Sequence, residues 1–233
     1  MKLFITGSGT DIGKTFITTR LAEHLRARGR LVRALKPLAS GCHDEDSNSD
    51  PARLLAACGQ TVTPAALDSI APWRFEAPLA PHLAARKVGR DIGFGALVDF
   101  CQTQMAQAEG DLLIEAVGGI MAPVTARQTC RDWASALDLP CLLVTGSYLG
   151  AVSHALTALL TLRQAGLTVS AIVLNETAGS SVDLADTRDM IAAHSGPTPV
   201  LVCPQQAPCD HSVFTEIVAR VDGMVDLNQS RAL

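Results

Sequence analysis

Leu3-Phe4-Ile5-Thr6-Gly7-Ser8-Gly9-Thr10-Asp11-Ile12-Gly13-Lys14-Thr15 reads as an apolar strand, a turn holding three glycines, and the first residues of a helix. The helix continues as the amphipathic run Phe16 to Leu25, with Ile17, Leu21 and Leu25 on one face. Strand, phosphate loop and helix in that order form a unit with a physical purpose. Glycines let successive backbone N–H groups turn inward around an anion, and the helix points its positive end at the same place. Lys14 can then reach the outer phosphates and the Thr15 hydroxyl can ligate magnesium. Five residues rather than four separate Gly7 from Gly13, with Ser8 where a glycine is usual, so the loop is one residue longer than the common form. A plain glycine turn with a solvated lysine would not explain why these residues gather at the carboxyl end of a first strand, where open α/β sheets bind ligands.

Outward from this unit, the helix ends near Arg28-Gly29 and Leu31 to Leu35 gives a second strand. It runs into Lys36-Pro37-Leu38-Ala39-Ser40-Gly41. If the strand is parallel to the first, Lys36 leaves the sheet at the same edge as the phosphate loop, and two lysines meet one triphosphate where adjacent strands end side by side. Asp111 to Glu115 is a further apolar strand, ending in an acid and followed by Gly118-Gly119. Such an acid holds magnesium or its water in phosphate-loop sites, which makes Glu115 a candidate ligand. Cys42 to Asp50 is polar and acidic and reads as an exposed loop. Asp50, just before Pro51 and a short helix through Leu54, Leu55 and Cys58, is placed as an N-cap, with a magnesium role as the alternative.

Residues 61 to 94, rich in proline and alanine, read as irregular structure with short helical pieces, and a helix spans about Gly95 to Glu109. The remainder alternates: strand Leu142 to Thr145, helix Ala151 to Ala165, strand Val169 to Leu174, helix Val182 to His194, strand Val200 to Val202, and a helix after Ser212. The expectation is a single α/β domain over residues 1–233, doubly wound, with a mostly parallel sheet and helices on both faces. With 48% hydrophobic but only 4% aromatic residues, its core should be built from Leu, Val, Ala and Ile. A net charge of −4 without a basic stripe speaks against a nucleic-acid partner. Seven scattered cysteines, never spaced Cys-x-x-Cys, read as free thiols in a reducing compartment, and Cys203, Cys209 and His211 fit no zinc spacing. The glycines follow the N-terminal apolar run too soon for a signal peptide, and no apolar segment is long enough to span a bilayer. A cytoplasmic protein without a membrane partner is expected.

The sequence resembles the dethiobiotin synthetase family. The matching stretches are Gly7 to Thr15, Lys36 to Gly41, Asn48-Ser49-Asp50, Ala77-Pro78-Leu79-Ala80-Pro81-His82, Glu115 with Gly118-Gly119, Leu149-Gly150 with His154, and Ala165-Gly166-Leu167 through Asn175. The resemblance implies ATP- and magnesium-dependent ring closure: 7,8-diaminononanoate takes up carbon dioxide as a carbamate, ATP phosphorylates it, and the second amine expels phosphate. It implies that Lys14 and Lys36 are catalytic, flanking the transferred phosphoryl group, and that Thr15, Asp50 and Glu115 hold magnesium. It places Asp11, Ile12, Gly13, Lys14, Thr15, Phe16, Asp50, Glu115, Asn175, Glu176 and Pro204 around ATP. Thr10, Ser40, Gly118, Gly150 and Ser153 fall to the substrate, in a homodimer. His82 and His154 read as structural residues.

Two departures from the family pattern stand out. Ala116-Val117 replaces a Gly-Ala pair and adds bulk beside the site, and Ser153 stands where an asparagine is usual. Two other classes share the motifs. A dimeric ATPase switch that positions cellular cargo would carry a lysine early in the phosphate loop, where this chain has Gly9. An amidotransferase of the cobyrinic acid type would need an appended glutaminase domain, for which the chain is too short.

Overall fold

The computed structural model describes residues 1–43 and 46–230. Six strands form one sheet: β1 (Lys2–Gly7), β2 (Val32–Leu35), β5 (Asp111–Glu115), β6 (Cys141–Gly146), β7 (Val169–Asn175) and β8 (Val200–Cys203). Their spatial order is β2-β5-β1-β6-β7-β8 and every neighbouring pair is parallel. Consecutive residues of a strand point to opposite faces, so complete burial of Leu3, Phe4 and Ile5 in succession means that both faces of β1 are covered. Helix α1 (Lys14–Ala27) packs on β1, β2 and β5 and against α2 (Asp50–Ala57) and α9 (Ser212–Ser230). Phe4 also meets Trp133 edge-to-face at 5.2 Å. That tryptophan belongs to α6 (Cys130–Leu137), which packs with α5 (Phe94–Gln107), while α7 (Ala151–Gln164) lies on β6 and β7 beside α8 (Leu184–His194). The doubly wound α/β architecture is thus the one read from the alternation of strands and helices.

The sheet order corrects one expectation. The strand that carries Lys36 is not beside β1: β5 lies between them, hydrogen-bonded to both. In register, Ile5 lies opposite Glu115 and Leu35 opposite Ile114, so Lys36, one residue on, comes level with Glu115. The inserted strand brings its acid between the two lysine-bearing segments.

The stretch from 61 to 94 is more ordered than its composition suggests. It contains α3 (Pro64–Ile70), β4 (Trp73–Phe75) and α4 (Pro81–Lys87). β4 pairs in parallel with β3 (Leu38–Ser40), so Leu38-Ala39-Ser40 is held as a strand and not as a free loop. Three-residue strands carry no readable period, and this pair exists only because the chain brings residues distant in sequence together. Helix α6 is a further element that the sequence pattern does not announce, although Thr129 and Asp132 form a reciprocal capping box at its start. Of the acidic loop, Asp44 and Glu45 lie outside the described residues. All seven cysteines are free thiols.

A buried histidine of α1 bonds to the segment just before the last helix and touches Phe214 within it. His24 Nδ1 lies 2.6 Å from the Cys209 carbonyl and 2.9 Å from Arg28 Nη1. Burial holds its pKa below the ordinary value of 6.5; the Cys209 carbonyl pulls the other way, and the Arg28 charge adds to the lowering. A group whose folded pKa is depressed contributes stability that is present above its unfolded pKa and lost as pH falls through the folded one. The melting temperature is therefore expected to drop between pH 7.5 and pH 5.5, and to drop less in His24→Gln, as differential scanning calorimetry would show.

Candidate functional site

The phosphate loop is built by local geometry. Asp11 and Gly13 have φ of 56° and 93°, turning the chain between β1 and α1 so that the helix starts without a side-chain cap. Its first N–H groups therefore face the loop. A side chain at Gly13 would be strained by its φ of 93° and would displace the Asn175 amide. Gly119 packs directly on the loop from the β5 side, with a Cβ at that position 3.2 Å from the Gly9 backbone.

At the carboxyl ends of β1, β5 and β2 four side chains close into a buried knot. Glu115 is fully buried; its Oε1 accepts from Thr15 Oγ1 at 2.7 Å and from Lys36 Nζ at 2.5 Å. Lys36 Nζ also lies 2.7 Å from Asp50 Oδ2 and 3.4 Å from Thr15 Oγ1. Burial alone would lower the Lys36 pKa, but Glu115 and then Asp50 outweigh it and hold the ammonium above its ordinary value. Asp50 gains from the same contact: burial pushes its carboxyl up, and Lys36 pulls it below the usual carboxylate range. Among the described residues Lys14 has no such partner. Its Nζ donates to the Gly9 carbonyl at 2.7 Å, and burial followed by repulsion from Lys36 brings its pKa down to about 8.

The N-cap reading of Asp50 is corrected. The cap position is Ser49, Asp50 is the first residue of α2, and its carboxylate turns to Lys36. Tertiary pairing with a cation wins over local capping because a charge-assisted contact at a half-buried site is the stronger interaction.

Thr15, Asp50 and Glu115 offer three hard oxygen donors around one point, and Glu115 Oε2 is buried without a hydrogen-bond partner among the described residues. This set suits a magnesium-type ion, which takes one or two carboxylates and keeps water and phosphate in its other positions. Among the described residues no group of three or more His, Cys, Asp or Glu gathers as a softer metal would require.

Two cavities meet over the knot. One of about 330 Å³ is lined by Thr10, Asp11, Gly13, Lys14, Thr15, Phe16, Lys36, Ser40, Asp50, Arg53, Val117 and Gly118. The other, of about 570 Å³, shares Thr10, Asp11, Ser40, Asp50, Val117 and Gly118 and extends past Cys42, Asn48 and Pro78 to Pro81. The added bulk of Val117 thus stands at the junction of the two. Ile12 is buried beneath the loop, and its carbonyl accepts from Asn175 Nδ2 at 3.1 Å. Glu176 lies at the end of β7, where its Oε2 accepts from the Gln205 N–H at 2.8 Å, next to Pro204. Gly150 and Ser153 are not brought to either cavity. Gly150 precedes α7, Ser153 is exposed on it, and nearby His154 Nδ1 pairs with the Tyr148 hydroxyl at 2.8 Å. Arg53, which sequence reasoning passed over, lines the smaller cavity; its position three residues after Asp50 was the available signal.

The AAA domain family matches residues 1–227. The ATP-dependent dethiobiotin synthetase BioD of Methylobacterium nodulans is 50% identical over 200 residues, covering 83% of this chain and 89% of that protein. Its counterpart in Acidiphilium cryptum is 41% identical over 219 residues, covering 93% and 98%. The chain belongs to the dethiobiotin synthetase family. It is accordingly an enzyme, a cyclo-ligase of biotin biosynthesis. Among solved structures the fold is similar to the MinD cell division protein of Aquifex aeolicus, with a TM-score of 0.57, 14% identity and coverage of 95% and 96%. A ParA family ATPase from Chlorobium tepidum gives 0.53 at 16% identity, with coverage of 94% and 90%. At these identities the likeness concerns the fold alone.

The knot should behave as one coupled unit. Glu115→Ala leaves the Lys36 ammonium with Asp50 as its only acid among the described residues and is expected to cost roughly 3 kcal/mol in urea unfolding. Glu115→Ala with Lys36→Met together should cost clearly less than the sum of the two single changes. Additive costs would show that the two charges are not coupled.

Proposed function

We propose that this chain closes a ureido ring at the expense of ATP, converting 7,8-diaminononanoate and carbon dioxide to dethiobiotin, ADP and phosphate. The observation that carries the reading is the convergence of Lys14, Lys36, Thr15 and Asp50 on one cavity, with Glu115 buried behind Thr15 and Lys36, and the opening of that cavity into a second, larger one past Ser40. The smaller cavity takes the outer phosphates and the larger one the diamine. Asp11, Ile12, Gly13 and Phe16 cradle the phosphates, and Asn175, Glu176 and Pro204 border the base. Ser40, Thr10 and Gly118 face the carbamate.

In this reading one amine of the substrate adds to carbon dioxide and loses a proton, giving a carbamate. Its oxygen attacks the terminal phosphorus, the bond to the ADP oxygen breaks, and a carbamic–phosphoric anhydride forms. The second amine then attacks the carbamoyl carbon, and phosphate and a proton leave. No protein nucleophile is needed, because phosphoryl transfer is accelerated by positioning and charge neutralisation. Lys14 and Lys36 supply the fixed positive charge. Thr15, Asp50 and Glu115 would hold a magnesium ion, whose chemistry is to neutralise phosphate charge. For Lys36 to face the phosphates, its ammonium must exchange the acids of the knot for phosphate oxygens.

Gly150 and Ser153 reach a substrate tail only across a dimer. Leu149 beside them is 89% exposed and Leu160 on α7 is 56% exposed, which supports a homodimer through this face. The cargo-positioning ATPase shares the fold, but the curated relatives and Gly9 in the phosphate loop favour the synthetase.

Purified protein with Mg-ATP is expected to release ADP on addition of 7,8-diaminononanoate and bicarbonate, with one dethiobiotin formed per ADP. Slow ATP turnover indifferent to the diamine would support the switch. Lys36→Ala is expected to keep nucleotide binding by isothermal titration while turnover falls at least about a hundredfold, the size of effect that removing one preorganised charge contact produces. Loss of nucleotide binding in that variant would assign Lys36 a structural role.

A further inference from the structure

Three cations line the smaller cavity, and two of them are engaged. Lys36 is held by Glu115 and Asp50, and Lys14 donates to the Gly9 carbonyl. Arg53 is the third: it lines the same cavity and also the adjoining hollow with Phe16 and Arg20, and its guanidinium makes no hydrogen bond or ion pair with any described residue. Arg20, by contrast, is paired with Glu23 at 2.7 Å and lies over the Phe16 ring. Arg53 stands three residues after Asp50 on α2, which places both on the helix face turned toward the phosphate loop.

The Arg53 charge helps to lower the Asp50 pKa, and the charge balance of a loaded site leaves its exposed guanidinium a further task. Mg-ATP brings a net charge of about −2, and Asp50 and Glu115 add about −2 more, while Lys14 and Lys36 return about +2. The two lysines offset the acids and leave the triphosphate uncompensated. An arginine presents its donors in a planar fork that matches two oxygens of one phosphoryl group, and it keeps its charge at any working pH.

We propose that Arg53 is a phosphate-contacting residue of the reaction, its guanidinium engaging two oxygens of the terminal phosphoryl group of the bound triphosphate. The assignment rests on reading this cavity as the site of the outer phosphates. Its consequence is selective: the contact is present with a triphosphate and absent with ADP. A guanidinium that served only to steady Asp50 or α2 would affect both nucleotides alike.

Isothermal titration of the full chain with the Mg complexes of ADP and of the β,γ-imido analogue of ATP tests this. Arg53→Gln is expected to weaken the analogue about tenfold and ADP less than about twofold. Arg53→Lys, which keeps the charge and loses the fork, should recover part of the loss. Equal weakening of both nucleotides, or no change in either, would overturn the assignment while leaving the nucleotide site intact. Wild-type protein that bound neither nucleotide would overturn the reading of the cavity and this inference with it. Should Arg53→Gln melt more than a few degrees below wild type, Arg53→Lys alone decides through the same ratio of affinities.

Discussion

The site rests on a carboxylate that should not be stable where it is. Glu115 ends a strand with no exposure to solvent, and an unpaired charge in that position would be strongly disfavoured. Lys36 at 2.5 Å and the Thr15 hydroxyl at 2.7 Å offset the desolvation, and Asp50 shares the ammonium from the exposed side. The arrangement is a set of like and unlike charges held at a fixed spacing by three parallel strands and a helix start. Among the described residues one Glu115 oxygen has no hydrogen-bond partner, so the knot retains capacity for a further cation.

Rigidity comes from the sheet. β5 runs between β1 and β2, and its register puts Glu115 level with Ile5 on one side and with Lys36 on the other. The strands are mostly apolar on both faces, and the helices of the two layers fix them. Charged groups on such strand ends have little freedom to relax. In the proposed reaction this confinement keeps the counter-charges within reach of the transferred phosphoryl group, so that Lys36 has only to exchange carboxylate oxygens for phosphate oxygens.

Much of this was legible in the chain. The glycine loop could be read because its residues are consecutive and each acts locally. Gly13 takes a φ of 93°, Lys14 and Thr15 open a helix, and the apolar residues before them have strand character. Glu115 and Lys36 could be read because each follows or ends a buried strand, and strand ends of a parallel sheet share an edge. Other elements were not legible. β3 and β4 are three residues each, too short for a period, and form through one another. Asp50 has the neighbours of a helix cap, and only its distance to Lys36 shows otherwise. Arg53 carries no motif, and its place became visible only as part of a cavity wall.

By itself the amino-acid sequence determined the alternation of strands and helices, the phosphate loop and the chemical types at the strand ends, since these depend on residues close together in the chain. Only the tertiary structure decided that β5 separates β1 from β2, that Asp50 pairs with Lys36, and that Arg53 joins the two lysines around one cavity. These are relations between segments that the fold brings together, set by packing and long-range electrostatics, and no local pattern encodes them.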